Sequence, residues 1–280
     1  MTVTDREQQV LNDIIAWESR FSQLNPTDFE LLYDKWLHKS FQLLPDDIRT
    51  EFFVKLDNWL FHLHAMIQGS QPQIDTREQI ITSARLFEED INQLTDLQTL
   101  SIDQLTYLCE QQVAKSRLYS FVQGGITGTG GAPFLGIDLP LMLIINLRAV
   151  QLIAMSYGNE INTPSEMMTA LKVFHGATLP KRLQGNAWGN LLNDMENSTQ
   201  SFFYEGNEKL MNEEWLDQPL KQILKTMMIY FFRRKMIQGI PIVGIAIGAG
   251  INYQLTRNVT TFAQKYYQYS YLHKKGGNPL

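Results

Sequence analysis

The chain has 280 residues, 44% hydrophobic and 19% charged, enough to bury one large core or two modest ones. Ordinary glycine and proline contents, with 11% aromatics, exclude collagen-like, coiled-coil and disordered classes. A net charge of −5 argues against non-specific nucleic-acid binding, and a single cysteine, Cys109, excludes an internal disulfide and a thiolate metal cluster.

The opening MTVTDREQQVLNDIIAWE has no basic stretch followed by an apolar one and no small-residue cleavage site, so a cytoplasmic location is the expectation. Thr27 and Glu30 form a capping box, in which a hydroxyl and a carboxylate three apart each satisfy a free N–H of the first turn. Phe29, Leu32, Tyr33, Trp36 and Leu37 follow at helical spacing. Pro45 with Asp46 and Asp47 opens a second helix, whose apolar stripe runs from Ile48 to Ile67. QGSQPQID breaks it. Thr76 with Gln79 caps a third helix striped by Ile80, Ala84, Phe87, Ile91 and Leu94, and Ser101 with Gln104 caps a fourth.

Character changes near Leu118. Residues 1–120 carry a net charge of −9 and residues 121–280 a net of +4. Between Leu118 and Leu147 the one charge is Asp138, and the stretch LYSFVQGGITGTGGAPFLGI holds six glycines. Asp138 is placed to cap an apolar helix with Pro140 in its first turn and Gly158 at its end. Thr163-Pro164-Ser165-Glu166 opens the next helix. Residues 193–217 read as a looser polar connection, and Leu220 to Phe232 as a further stripe. A second uncharged segment, Met236 to Thr256, precedes a Tyr-rich amphipathic helix containing Val259, Phe262, Tyr266 and Tyr269. No strand alternation is sustained, so the expected fold is all-α: a multi-helix bundle with a central buried glycine-rich helical pair. The expected division is an acidic helical subdomain, 1–117, and a core, 118–280, carrying the glycine-rich apolar segments 118–157 and 236–256.

The glycines do not make a phosphate loop. Neither segment holds the lysine a P-loop needs, and Pro133 stands where a dinucleotide fingerprint needs its third glycine. The pairs Gly124/Gly128 and Gly244/Gly248 instead have the small-x3-small spacing that lets two helix backbones approach closely. Ile240–Ile251 is short for a membrane span, which favours a buried hairpin over a membrane-surface or partly inserted element, and either over a true span. Arg148 interrupts an apolar helix and calls for a carboxylate or a polar edge. Asp138 is ten residues back, about 15 Å along a helix and on another face, so a structural ion pair with a partner on a different segment is expected, the alternative being a recognition site for an anionic head group or substrate. Gln151 shares the face of Arg148, and Asn252 could join the same polar cluster. His62 and His64 point to different sides of a helix and cannot chelate one metal. His38 and His273 read as exposed, His175 as a core or cap histidine. No catalytic residue, metal site or cofactor is assigned.

The run QGGITGTGG…GIDLPLMLIINLRAVQLIAMSYG, followed by GIPIVGIAIGAGINY, resembles the EcsC protein family. The resemblance is carried by the glycine-rich lead, Asp138-x-Pro140, Arg148, Gln151, Tyr157-Gly158 and a Gly-x-Pro segment ending in Asn252-Tyr253. It implies a bacterial protein encoded beside the ATPase and membrane subunits of an ABC transporter, and it supplies no reaction. The expected role is an accessory or regulatory protein of such a system, with transporter subunits as partners. An anionic membrane surface would be met by the Tyr-rich helix and by Arg233-Arg234-Lys235. The alternative is a membrane-associated enzyme acting on lipid or peptide, with Asp138, Arg148 and His175 as its polar actors.

Overall fold

The computed structural model describes residues 4–22, 62, 65–128, 132–179, 181–200 and 241–276, the side chains of 126–140, 164, 182, 197–200, 241–248 and 251 excepted. All regular structure among them is helical. The Thr27 box, the Pro45 helix as far as residue 61, His38, His64, the Leu220 stripe and Arg233-Arg234-Lys235 lie outside the described residues.

Helix α1 (Asp5–Ser22) starts with a reciprocal cap: Thr4 N–H donates to Glu7 Oε2 at 2.8 Å and Glu7 N–H to Thr4 Oγ1 at 3.3 Å. The run QGSQPQID breaks the preceding helix at Gly69 and Ser70, as expected, and helix α2 (Gln71–Ala84) begins inside the same run. Ser70 is the N-cap and Pro72 sits in the first turn, where a missing N–H costs nothing. Thr76 is therefore not a cap; its hydroxyl donates to the Pro72 carbonyl at 2.7 Å. The helix also ends earlier than its stripe suggests. Arg85 turns the chain, its Nε donating to the Ile91 carbonyl at 2.8 Å, and Leu94–Thr99 forms a 3-10 helix. Ile91 and Leu94 still reach the core, while Phe87 is exposed.

Helix α3 (Ile102–Gly128) starts at the expected cap: Ser101 N–H donates to Gln104 Oε1 at 2.8 Å. It runs unbroken across residues 117 and 118, so the compositional boundary falls within one helix. Helix α4 (Ala132–Ser156) starts six residues before Asp138, which is therefore helical and not an N-cap. Gly158 ends α4 as expected, at φ +76°, with Gly158 N–H bonding to Met155 O at 2.9 Å and Asn159 N–H to Ala154 O at 3.1 Å. Helix α5 (Pro164–Thr178) has Thr163 as its cap, accepting from Glu166 N–H at 3.3 Å. Helix α6 (Lys181–Gln200) carries residues 193–200, which corrects the looser connection expected there. Asp194 pairs with Lys172, and Met195 is buried.

Helix α7 (Pro241–Gly276) fuses the second uncharged segment with the Tyr-rich helix into one rod of 36 residues. It packs most extensively against α3 and also against α4 and α5. The tyrosines of its C-terminal half are packed into the protein, whereas Tyr253 is exposed. Tyr266, Tyr267, Tyr269 and Tyr271 are all buried, as are Val259 and Phe262, because a helix lined on several sides by neighbours has little free surface for its apolar face. Trp17 and Trp188 meet edge-to-face at 5.0 Å and both contact Phe262, which locks α1 and α6 onto α7. Glu7 of α1 accepts from Lys275 Nζ at 2.6 Å and ties the first described helix to the last turn of α7.

Candidate functional site

The register of α3 against α7 is antiparallel and set by polar side chains. On α3, Ser116, Ser120 and Gly124 recur every four residues and are buried; on α7, Asn252, Thr256 and Thr260 do the same. Thr256 Oγ1 donates to Ser120 Oγ at 2.7 Å, and Ser120 Oγ donates to the Asn252 carbonyl at 2.9 Å. Asn252 Nδ2 donates to Gln123 Oε1 at 3.4 Å. At the other end Arg117 Nε donates to Thr260 Oγ1 at 3.0 Å and its Nη2 to Thr261 Oγ1 at 3.2 Å. Burial pushes the Arg117 pKa down from its ordinary value. Small side chains let the two backbones approach, and the hydroxyls bond to groups that would otherwise be buried unpaired.

Sequence spacing missed this seam because it looked for glycines. The signal was present as Ser-x3-Ser-x3-Gly against Asn-x3-Thr-x3-Thr. Gly124 belongs to the seam, whereas the surroundings of Gly128, Gly244 and Gly248 lie outside the described side chains, as does the Asp138 carboxylate.

Arg148 does not sit in this seam. Its Nε donates to Gln73 Oε1 at 3.1 Å, and its Nη2 donates to the Pro72 carbonyl and to Thr76 Oγ1, each at 3.1 Å. All three acceptors are neutral and lie on α2, so the expected ion pair is replaced, among the described residues, by a fork of neutral oxygens. Partial exposure makes this tolerable: water still solvates part of the guanidinium, and burial lowers its pKa only from a very high start. Gln73 links the fork onward, donating from Nε2 to Gln151 Oε1 at 3.1 Å. The structure thus joins Arg148 and Gln151 through Gln73 and places Asn252 in the separate α3–α7 seam.

The two polar groups flank one groove of about 570 Å³ between α3 and α4. Gln123 of the seam and Arg148 line it together. The remaining lining is mainly apolar, with Leu118, Tyr119 and Val122 from α3 and Leu141, Ile144 and Ile145 from α4. Leu118 is 61% exposed and Tyr119 58%, far above what core-facing helix residues show. Phe121, Val122, Leu141 and Tyr253 are also exposed, and the Phe121 and Tyr253 rings meet edge-to-face at 6.4 Å. Chemically this is an amphipathic cleft, with greasy walls and a guanidinium at one side. His175 does not line it. No group of three or more His, Cys, Asp and Glu among the described residues is placed to hold a metal, and no described helix is long and apolar enough to cross a membrane. Cys109 is fully buried, and burial raises its thiol pKa far above the ordinary value, so it is held as a protonated packing group.

A family model described as the EcsC protein family matches residues 8–272. The chain is similar to a Bacillus subtilis (strain 168) protein called uncharacterized protein YdbA, at 23% identity over 274 residues, covering 95% of this chain and 93% of the relative. No solved structure matches it.

Proposed function

Because the chain belongs to the EcsC protein family, we propose that it is an accessory or regulatory protein of an ABC transport system, held peripherally on the inner face of the cell membrane. The observation that carries the membrane half of this reading is the exposed apolar set Leu118, Tyr119, Phe121, Val122, Leu141 and Tyr253 around the α3–α4 groove. A contiguous apolar surface of aromatic and aliphatic side chains is costly in water unless a membrane or another protein covers it. Tyrosine and phenylalanine suit the boundary between headgroups and acyl chains. Arg148 lies where its charge would meet anionic headgroups while the apolar rim enters the acyl boundary. The transporter half is supported by the family resemblance to proteins encoded beside ABC subunits.

Vesicle flotation tests the membrane half. The protein should float with vesicles of phosphatidylcholine and phosphatidylglycerol, and Leu118→Glu with Val122→Glu should abolish flotation without lowering the thermal midpoint. In cell fractions the protein should leave the membrane in carbonate. Release by detergent alone would contradict peripheral attachment. For the transporter half, crosslinked protein purified from its own host should carry ABC ATPase or membrane subunits, and their absence would refute it.

A further inference from the structure

A second pocket, of about 470 Å³, lies between α1, α6 and α7. Three of its lining residues are cationic, Arg20, Lys181 and Arg257, and none is acidic. Elsewhere among the described residues four cations are paired with carboxylates, Arg6 with Asp103, Arg77 with Glu160, Lys172 with Asp194 and Lys275 with Glu7, and others are held by neutral oxygens, as Arg117 and Arg148 are. None of the three pocket cations has such a carboxylate among the described residues.

Stability explains only one of them. Arg20 stands in the last turn of α1, where a cation complements the carbonyl end of the helix. Lys181 is the first residue of α6, the positive end, where a further positive charge is unfavourable. Arg257 is in the middle of α7, with nothing of either sign to answer at a terminus. More positive charge stands close by. Arg117, lowered in pKa first by burial and further by Arg257, holds Thr261, which lines the pocket. Lys265, lowered by burial, feels Asp13 and then Arg20. Asp13 faces Lys265 and does not line the pocket.

The rest of the wall is built to receive a ligand. Gln254 Nε2 donates to Asn258 Oδ1 at 3.1 Å, which fixes the Asn258 amide and leaves its N–H groups without an acceptor among the described residues. Trp17 supplies a partly buried indole, braced edge-to-face by Phe21 at 4.7 Å and by Trp188. The close approach of Phe21 depends on Gly185, where a Cβ would lie 3.3 Å from Phe21 Cβ.

We propose that this pocket binds a phosphate-class anion, carried either on a lipid headgroup or on a soluble phosphate ester. Guanidinium and ammonium groups and amide N–H donors suit phosphate oxygens, and the indole offers a flat apolar surface to whatever bears the phosphate. The pocket shares no lining residue with the α3–α4 groove and does not depend on the membrane reading.

The experiment uses the full chain. Calorimetric titration with sodium pyrophosphate is run beside flotation on phosphatidylcholine vesicles with and without phosphatidic acid. The wild type should bind one or both probes. A triple variant, Arg20→Gln with Lys181→Gln and Arg257→Gln, should weaken that binding at least about tenfold, since each charge-assisted hydrogen bond lost is a sizeable part of such an affinity. All three residues are exposed, so the variant should melt close to the wild-type midpoint, the helix-end contribution of Arg20 being offset by the like charges removed. Binding of pyrophosphate identifies a soluble source; binding of phosphatidic acid vesicles alone identifies a headgroup. The Leu118→Glu, Val122→Glu variant should keep its pyrophosphate affinity, which separates this site from the groove. Failure of the wild type to bind either probe, or binding unchanged in the triple variant, would overturn the proposal.

Discussion

Substituting Arg148 tests whether its surroundings are neutral. The guanidinium makes three hydrogen bonds, to Gln73 Oε1, the Pro72 carbonyl and Thr76 Oγ1. Arg148→Leu removes them but strands no carboxylate. Gln73 keeps its bond to Gln151, and the Thr76 hydroxyl still donates to the Pro72 carbonyl. A hydrogen bond to a charged group contributes about 1.5–3 kcal/mol when fully buried, and here water can replace much of it, so the expected loss is about 1 kcal/mol. Arg148→Ala also removes the aliphatic stem lining the groove and should cost about 2 kcal/mol. Urea denaturation reads both as lower midpoints at an unchanged slope. Thermal midpoints should fall by roughly 2–4 °C per kcal/mol for a chain near this size. A double-mutant cycle with Gln73→Ala should return about 1 kcal/mol of coupling. Equal losses of about 3–5 kcal/mol in both variants would mean that a buried carboxylate had been left behind, and would refute this account of the site. Zero coupling to Gln73 would refute the fork itself.

Gly158→Ala should destabilise by about 2–3 kcal/mol, because φ is +76° and a Cβ would meet the Leu94 carbonyl at 3.0 Å; chemical denaturation would measure it. Lys275→Ala should cost about 1–2 kcal/mol, since Glu7 is 3% exposed and its partner 31%, so the exposed side discounts a fully buried pair. Burial raises the Glu7 pKa, but its bonds from Lys275 and Thr4 outweigh this and hold it below the usual carboxylate value. That stabilisation is therefore complete above about pH 4.5 and lost as pH falls through the lower folded-state pKa. Melts from pH 6 downward should show a smaller acid loss in Glu7→Gln than in wild type. Lys275 is raised by the same bond, so its share is complete below its ordinary pKa and disappears at higher pH. Cys109 should resist a thiol reagent in buffer and react on unfolding in urea, which a spectrophotometric time course follows.

Helix starts were legible where a side chain caps the backbone directly. Ser101 with Gln104 and Thr163 with Glu166 fixed two boundaries, because the chemistry is local. Asp138 misled for the same reason: an Asp two residues before a Pro has the form of a cap, yet the preceding apolar residues continue the helix back to Ala132. Gln73 was hidden behind Gly and Pro, although Ser70 and Pro72 together mark a helix start. The partner of Arg148 lies 75 residues away and is an amide, so no rule of spacing reaches it and the rule that pairs a cation with a carboxylate points elsewhere. Continuity of α7 was equally out of view: the apolar segment and the tyrosine segment differ in composition, but nothing between Thr256 and Val259 breaks a helix. That Tyr266, Tyr267, Tyr269 and Tyr271 turn inward follows from what surrounds α7 and not from its own sequence.

The hydroxyl-lined face of α3 also bears on synthesis. Arg117 and its partner Thr260 are separated by 143 residues, so at about 5–20 residues per second the ribosome needs roughly 7–30 seconds to supply the second after the first. During that interval α3 has no α7 to cover it. A stripe of leucine there would offer a nascent chain a strong invitation to aggregate; Ser116, Ser120 and Gln123, with Arg117 beside them, can be wetted while they wait. The same groups then give up their water to Asn252, Thr256 and Thr260 when the late helix docks, which makes the closing step of folding an exchange of hydrogen bonds and not only a burial of oil.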